Sequence, residues 1–188
     1  MARNPTQDRT TRYTGTAIAL HWLMAILIGG AFGVGLYMVG LKLSPTKLQL
    51  YSWHKWAGVT VFALLWLRLA WRLAHPAPAL PSTVPDWQQR IAHALHVVLY
   101  LLMVAVPLSG WLMSSAKGFQ TVWFGVLPIP DLLDKDEALG DLLKNVHLFL
   151  TWSLAALVAA HVGAALKHHL IDRDDVLARM LPFLRRRA

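Results

Sequence analysis

Apolar positions along this chain gather into four long runs separated by polar links. The runs predict helices over about 16–41, 50–73, 88–113 and 145–169. At about 1.5 Å rise per residue, each is long enough to cross a hydrocarbon core of about 30 Å. The first link, 42–49, contains Ser44-Pro45 and reads as a turn. The second, 75–87, reads HPAPALPSTVPDW, a proline-rich loop that cannot continue a helix. The third, 114–144, is the longest. Its stretch FQTVWFGVLPIPDLL is apolar but too short to span, and is expected at the membrane interface. Pro107 is expected to kink the third helix. No internal repeat is visible.

Composition turns four apolar helices into a membrane protein. The chain has 188 residues, 56% hydrophobic and 15% charged, which is too apolar for a soluble domain of this size. The expected fold is all-α, an integral membrane four-helix bundle forming a single domain over residues 1–188. Most of the nine tryptophans sit near run ends, as in an interfacial belt. Glycines 29, 30, 33 and 35 thin one side of the first helix, which suits close helix packing or a flat macrocycle.

The net charge of +8 raises nucleic acid as a partner, but the basic residues flank apolar runs instead of forming a polar patch with interleaved aromatics. They do set an orientation. Arg3, Arg9, Arg12, Arg68, Arg72, Arg90, Lys167, Arg173, Arg179, Arg185, Arg186 and Arg187 fall on one side. Lys42, Lys47, Lys55, Lys117, Lys135 and Lys144 fall on the other. The richer side, which holds both termini, is expected to be cytoplasmic. The first dozen residues lack the pattern of a cleaved signal, so the first span is expected to be retained. Arg68 and Arg72, at the exit of the second helix, are expected to snorkel to head groups rather than pair with propionates.

The chemistry lies in the histidines. His147 and His161 sit inside the fourth apolar run, 14 residues apart. Fourteen residues bring both imidazoles to one helix face, about 21 Å apart along the axis. Intramembrane ionisable residues are functional by default. His54 lies at the depth of His147 on the other side of the bundle. His21, His96 and His161 share the inner depth, with His93 one turn shallower. The outer depth thus offers one pair, and the inner depth three candidates for two positions. Two imidazoles at each of two depths suit two b-type haems. The chain has no cysteine, which excludes disulfides, iron–sulfur clusters, thiolate zinc sites and covalent c-type haem.

The stretches IALHWLMAILI, WHKWAGV, RLAWRLAHPAPALP, HALHVVLYLLMVAVPLSGWLM and AAHVGAALKHHLIDRDDVLARMLP, in this order, resemble the bacterial cytochrome b561 family. These are four-helix, di-haem, quinone-linked cytochromes of the inner membrane and include the superoxide oxidases. The resemblance implies two haems b, with iron ligated by His54 with His147 and by His21 with His161. His96 would then contact the haem edge. It further implies ubiquinone or another quinone on the cytoplasmic side and electrons entering from the periplasm. Superoxide is the donor in superoxide oxidases. The acidic middle link here, with Asp131, Asp134, Asp136, Glu137 and Asp141, departs from a surface that would collect anions.

His168 follows the inner ligand position by 7 residues, about two turns, and so lies near the same face about 10 Å closer to the cytoplasm. A histidine there can donate a hydrogen bond and relay a proton to a quinone. The leading expectation is transmembrane electron transfer between a periplasmic donor and membrane quinone. The alternative is a haem-bearing anchor subunit that docks a periplasmic redox protein. A haem-free transporter would gather polar groups at the midplane, whereas the histidines here sit at two outer depths.

Overall fold

The computed structural model describes residues 13–79 and 84–184. The N-terminal arm with Arg3, Arg9 and Arg12, part of the proline-rich loop, and the terminal arginines Arg185, Arg186 and Arg187 lie outside the described residues.

Four long helices dominate the described residues: α1 (Gly15–Val39), α2 (Pro45–Ala74), α3 (Asp86–Ala116) and α4 (Glu137–Lys167). All four are long and apolar enough to cross a membrane. Their starts are set by local chemistry. Thr14 caps α1, its hydroxyl accepting from the Ala17 N–H at 3.2 Å. Ser44 caps α2 in the same way through Lys47 N–H, and Pro45 occupies the first turn, where its missing N–H costs nothing. Asp136 caps α4, accepting from Leu139 N–H at 2.9 Å.

These caps shift the boundaries read from hydropathy. Helix α4 begins eight residues before the expected start at 145, because Glu137 to Lys144 is polar enough to end an apolar run yet forms good helix. Helix α2 likewise starts at Pro45, not 50, and α3 spans three residues beyond 113. At its C-terminal end α4 passes into a π-helical turn, His168–Asp172, closed by Arg173 in the left-handed region (φ 56°). Two short 3₁₀ turns, Leu177–Arg179 and Pro182–Leu184, follow.

The bundle packs α1 against α2 and α3 against α4 most closely, with α2 also meeting α3. Its shared core is Met24, Val61 and Leu65, surrounded by Leu27, Ile28, Leu64, Tyr100 and Met103. Large apolar side chains face outward along every helix; Ile26 is 70% exposed and Phe149 72%. In water this surface would be untenable, and in lipid it is the expected exterior.

The link between α3 and α4 contains a two-stranded antiparallel hairpin, where the sequence led us to expect only an interfacial segment. Strand β1 (Thr121–Trp123) pairs with β2 (Leu127–Ile129), with Thr121 opposite Ile129 and Trp123 opposite Leu127. The turn uses Phe124 (φ 50°) and Gly125 (φ 74°), both left-handed. The link is tied to the helix ends by Lys117, which bridges Glu137 at 2.8 Å and Asp141 at 2.9 Å.

Candidate functional site: paired histidines at two depths

Two histidine constellations lie between the helices. In the first, His54 of α2 faces His147 of α4, ring centroids 6.2 Å apart and planes 84° apart. In the second, His21 of α1 faces His161 of α4 at 6.3 Å and 63°. His96 of α3 joins this second group, 5.2 Å from His161. The fourteen-residue spacing on α4 therefore delivers one imidazole to each group.

The spacings can be tested against a metal held between the rings. Metal–imidazole bonds are about 2.0–2.1 Å and a ring centroid lies about 1.1 Å from its nitrogens, so opposed imidazoles on one metal have centroids about 6.3 Å apart. The pairs His54–His147 and His21–His161 meet this spacing. His96–His161 is about 1 Å too close for the same arrangement.

Hydrogen bonds fix the ring tautomers at the first pair. His54 Nδ1 lies 2.9 Å from the Ala31 carbonyl, which can only accept, so Nδ1 carries the proton and Nε2 keeps its lone pair. His147 Nδ1 is 3.1 Å from Val106 O and 3.0 Å from Ser109 Oγ. The buried Ser109 hydroxyl donates to Val106 O at 2.8 Å, leaving its oxygen to accept from His147. Orientation of this kind, one nitrogen anchored and the other free, typifies metal-bound histidine.

Glycine makes both placements feasible. A Cβ at Gly35 would sit 3.3 Å from His54 Cε1, and one at Gly110 only 3.1 Å from His147 Cε1. Around Gly29, Gly30, Gly33, Gly58 and Gly163 a Cβ would meet nothing within 4 Å.

The second group is organised differently. Arg68 was expected to reach head groups; it turns inward instead. Its Nη2 donates to His21 Nδ1 at 3.1 Å and its Nε to the Tyr100 hydroxyl at 3.1 Å. A guanidinium has no acceptor, so this contact puts the His21 proton on Nε2. Ligation through His21 Nε2 therefore requires Arg68 to turn away and the proton to pass to Nδ1. His96 Nδ1 donates to Ala92 O at 2.6 Å, one turn back on its own helix, and the residue is exposed.

Toward the terminus of α4, His168 heads the π-helical turn. Its Nδ1 donates to Asp174 Oδ2 at 2.6 Å and lies 3.3 Å from Asp172 Oδ2, which also holds Lys167 Nζ. His168, Asp172 and Asp174 open with Val84, Pro85 and Gln88 onto a cavity of about 340 Å³. His169, the next residue, does not line it. Sequence reasoning missed Ser109, Tyr100 and Asp174. Ser109 had one usable signal: a polar residue within an apolar helix beside Pro107 and Gly110.

Four membrane-spanning helices with opposed imidazoles between them define a membrane cytochrome of the b type. Known proteins agree: the family model described as prokaryotic cytochrome b561 matches residues 12–183. Cytochrome b561 homolog 2 of Escherichia coli (strain K12) is 39% identical over 172 residues, covering 90% of this chain and 91% of the relative. Cytochrome b561 homolog 1 of the same organism is 32% identical over 179 residues, covering 91% and 97%. A probable superoxide oxidase, CybB of Yersinia pestis, is 28% identical over 171 residues, covering 91% and 96%. The chain belongs to the prokaryotic cytochrome b561 family, multi-pass inner-membrane oxidoreductases that transfer electrons across the membrane through b-type haem.

Proposed function

We propose that residues 1–188 form one di-haem domain that passes electrons from a periplasmic donor through two haems b to a membrane quinone. The observation that carries the reading is the pair of centroid spacings, 6.2 Å for His54–His147 and 6.3 Å for His21–His161. In this reading those four histidines ligate the two irons, and His96 contacts the inner haem edge. Each bound haem supplies a one-electron carrier that ordinary side chains lack. The chain's own residues orient and insulate the carriers. Ala31 O, Val106 O and Ser109 hold the outer imidazoles by Nδ1. A histidine pair holding each haem would favour electron transfer over oxygen binding.

Both termini are cytoplasmic in this proposal, which follows the basic excess on their side. Superoxide is the donor the reading favours, supported by the name of the Yersinia pestis relative. The balance is then two superoxide, one quinone and two protons giving two dioxygen and one quinol. His168 stands at the quinone end, where its Nδ1–H bond to Asp174 leaves Nε2 free, and Nε2 donates to a carbonyl oxygen once it too carries a proton.

A second reading, docking of a basic periplasmic redox protein, is favoured by the exposed carboxylates Asp131, Asp134 and Asp136 on the hairpin link. One experiment separates the two. Purified haem-loaded protein is given enzymatically generated superoxide and a short-chain quinone, and quinol is measured. Quinol formation beyond the uncatalysed rate supports superoxide as donor. No acceleration, in protein whose haems are reduced by dithionite and reoxidised by quinone, rejects superoxide and leaves the docked protein.

A further inference from the structure

The electron path makes no use of residues 118–130, an extended and apolar part of the link between α3 and α4. It contains no charged residue, although Lys117 and Asp131 bracket it. Its tip exposes Phe124 by 57% and Val126 by 84%. Above a membrane, standing in water, such a tip would be an unsatisfied apolar patch.

Its position along the helices gives a different picture. Lys55 Nζ donates to Phe119 O at 2.8 Å, Trp56 Nε1 to Val122 O at 2.6 Å, and Trp123 Nε1 to Thr60 Oγ1 at 3.2 Å. These α2 residues begin one position inward of His54. Thr60 lies about 9 Å further into the span than His54. On α3, Trp111 Nε1 donates to Pro130 O at 3.0 Å, next to the Gly110 that faces His147. The hairpin is thus level with the His54–His147 pair or deeper.

Extended backbone at that depth is tolerated where protein covers it and its polar groups find partners. Here many of them do. The ladder pairs β1 with β2, and the turn closes through Gly125 N–H to Val122 O and Val126 N–H to Trp123 O. Indole and lysine donors take the outward-facing carbonyls of Phe119, Val122 and Pro130. Phe124 also packs on Trp56 and Trp123, centroids 5.3 and 5.1 Å away. We propose that residues 118–130 form a re-entrant hairpin seated in the leaflet on the His54 side, its Phe124-Gly125-Val126 tip packed against lipid acyl chains. This assignment is independent of the haem and quinone readings.

The cysteine-free chain provides a clean test. Full-length Val126→Cys and Asp134→Cys proteins, each retaining the parent's absorption spectrum and elution volume, are placed in phosphatidylcholine nanodiscs, which expose both faces to buffer. A membrane-impermeant maleimide should label Val126→Cys about tenfold or more slowly than Asp134→Cys, because a thiol in lipid ionises poorly. Parent protein in nanodiscs containing phosphatidylcholine with an acyl-chain diazirine is then irradiated and digested. Lipid adducts should appear on the hairpin peptide, as on the peptide bearing lipid-facing Ile26. Equal labelling rates would make the hairpin an aqueous lid and overturn the proposal. Slow labelling with adducts on the Ile26 peptide alone would mean that protein covers the tip, and would overturn it too.

Discussion

The imidazoles of His54 and His147 oppose each other across the bundle at 6.2 Å, almost perpendicular at 84°. Each has its Nδ1 committed to a carbonyl on yet another helix, α1 for His54 and α3 for His147. All four helices therefore define this one site. His54→Ala and His147→Ala should each lower haem content from two per chain to one, measured by pyridine haemochrome. If either variant keeps two low-spin haems, the outer assignment is wrong.

In the proposed pairing, the 6.3 Å spacing of His21 from His161, against 5.2 Å for His96, makes His21 the partner of His161. His21→Ala should lose the inner haem, while His96→Ala should keep two haems with at most a small band shift. The visible spectrum of the two purified variants decides it. Loss of haem in His96→Ala with retention in His21→Ala would reverse the pairing.

Ser109 offers a finer test, since its hydroxyl holds His147 through Nδ1. Ser109→Ala removes one acceptor from the His147 Nδ1–H and leaves Val106 O in place. A weaker acceptor makes the imidazole a poorer electron donor to the metal. Both haems should stay bound, and the midpoint potential of the outer haem should rise in a redox titration. The lost hydrogen bond should cost about 0.5–1.5 kcal/mol of stability. An unchanged potential would show that Val106 O alone orients the ring.

His168→Ala should leave haem content and spectra intact while slowing reoxidation of the reduced protein by quinone. Asp174→Asn keeps the size of the carboxylate but weakens its hold on His168, so it should slow the same step less. Stopped-flow reoxidation measures both. Parent-like rates in His168→Ala would remove the residue from the mechanism.

Much of this was legible in the sequence because helices are periodic. The interval between His147 and His161 already places both on one face, and the apolar runs locate four spans. What failed to show was whatever depends on side chains meeting from distant segments. Arg68 sits near a helix end, where a basic residue ordinarily reaches water, and nothing local reveals that His21 and Tyr100 wait on neighbouring helices. The hairpin is hidden for a related reason. Its strands are three residues each, too short for alternation to register, and its seat depends on the Trp56 indole and the Thr60 hydroxyl, 66 and 63 residues away from their partners. The early start of α4 was hidden by charge: Asp141 and Lys144 end the apolar run without ending the helix.

The interval on α4 also has an electrical meaning. About 21 Å of a core about 30 Å thick separates the two histidine levels, so an electron moving between them crosses roughly 0.7 of the dielectric. Moving one charge through a full membrane potential is worth about 2.3 kcal/mol per 100 mV. With the interior negative, inward transfer would then work against the field by about 1.6 kcal/mol per 100 mV. In an energised cell the membrane voltage itself would hold this conductor back, and dissipating that voltage would release it.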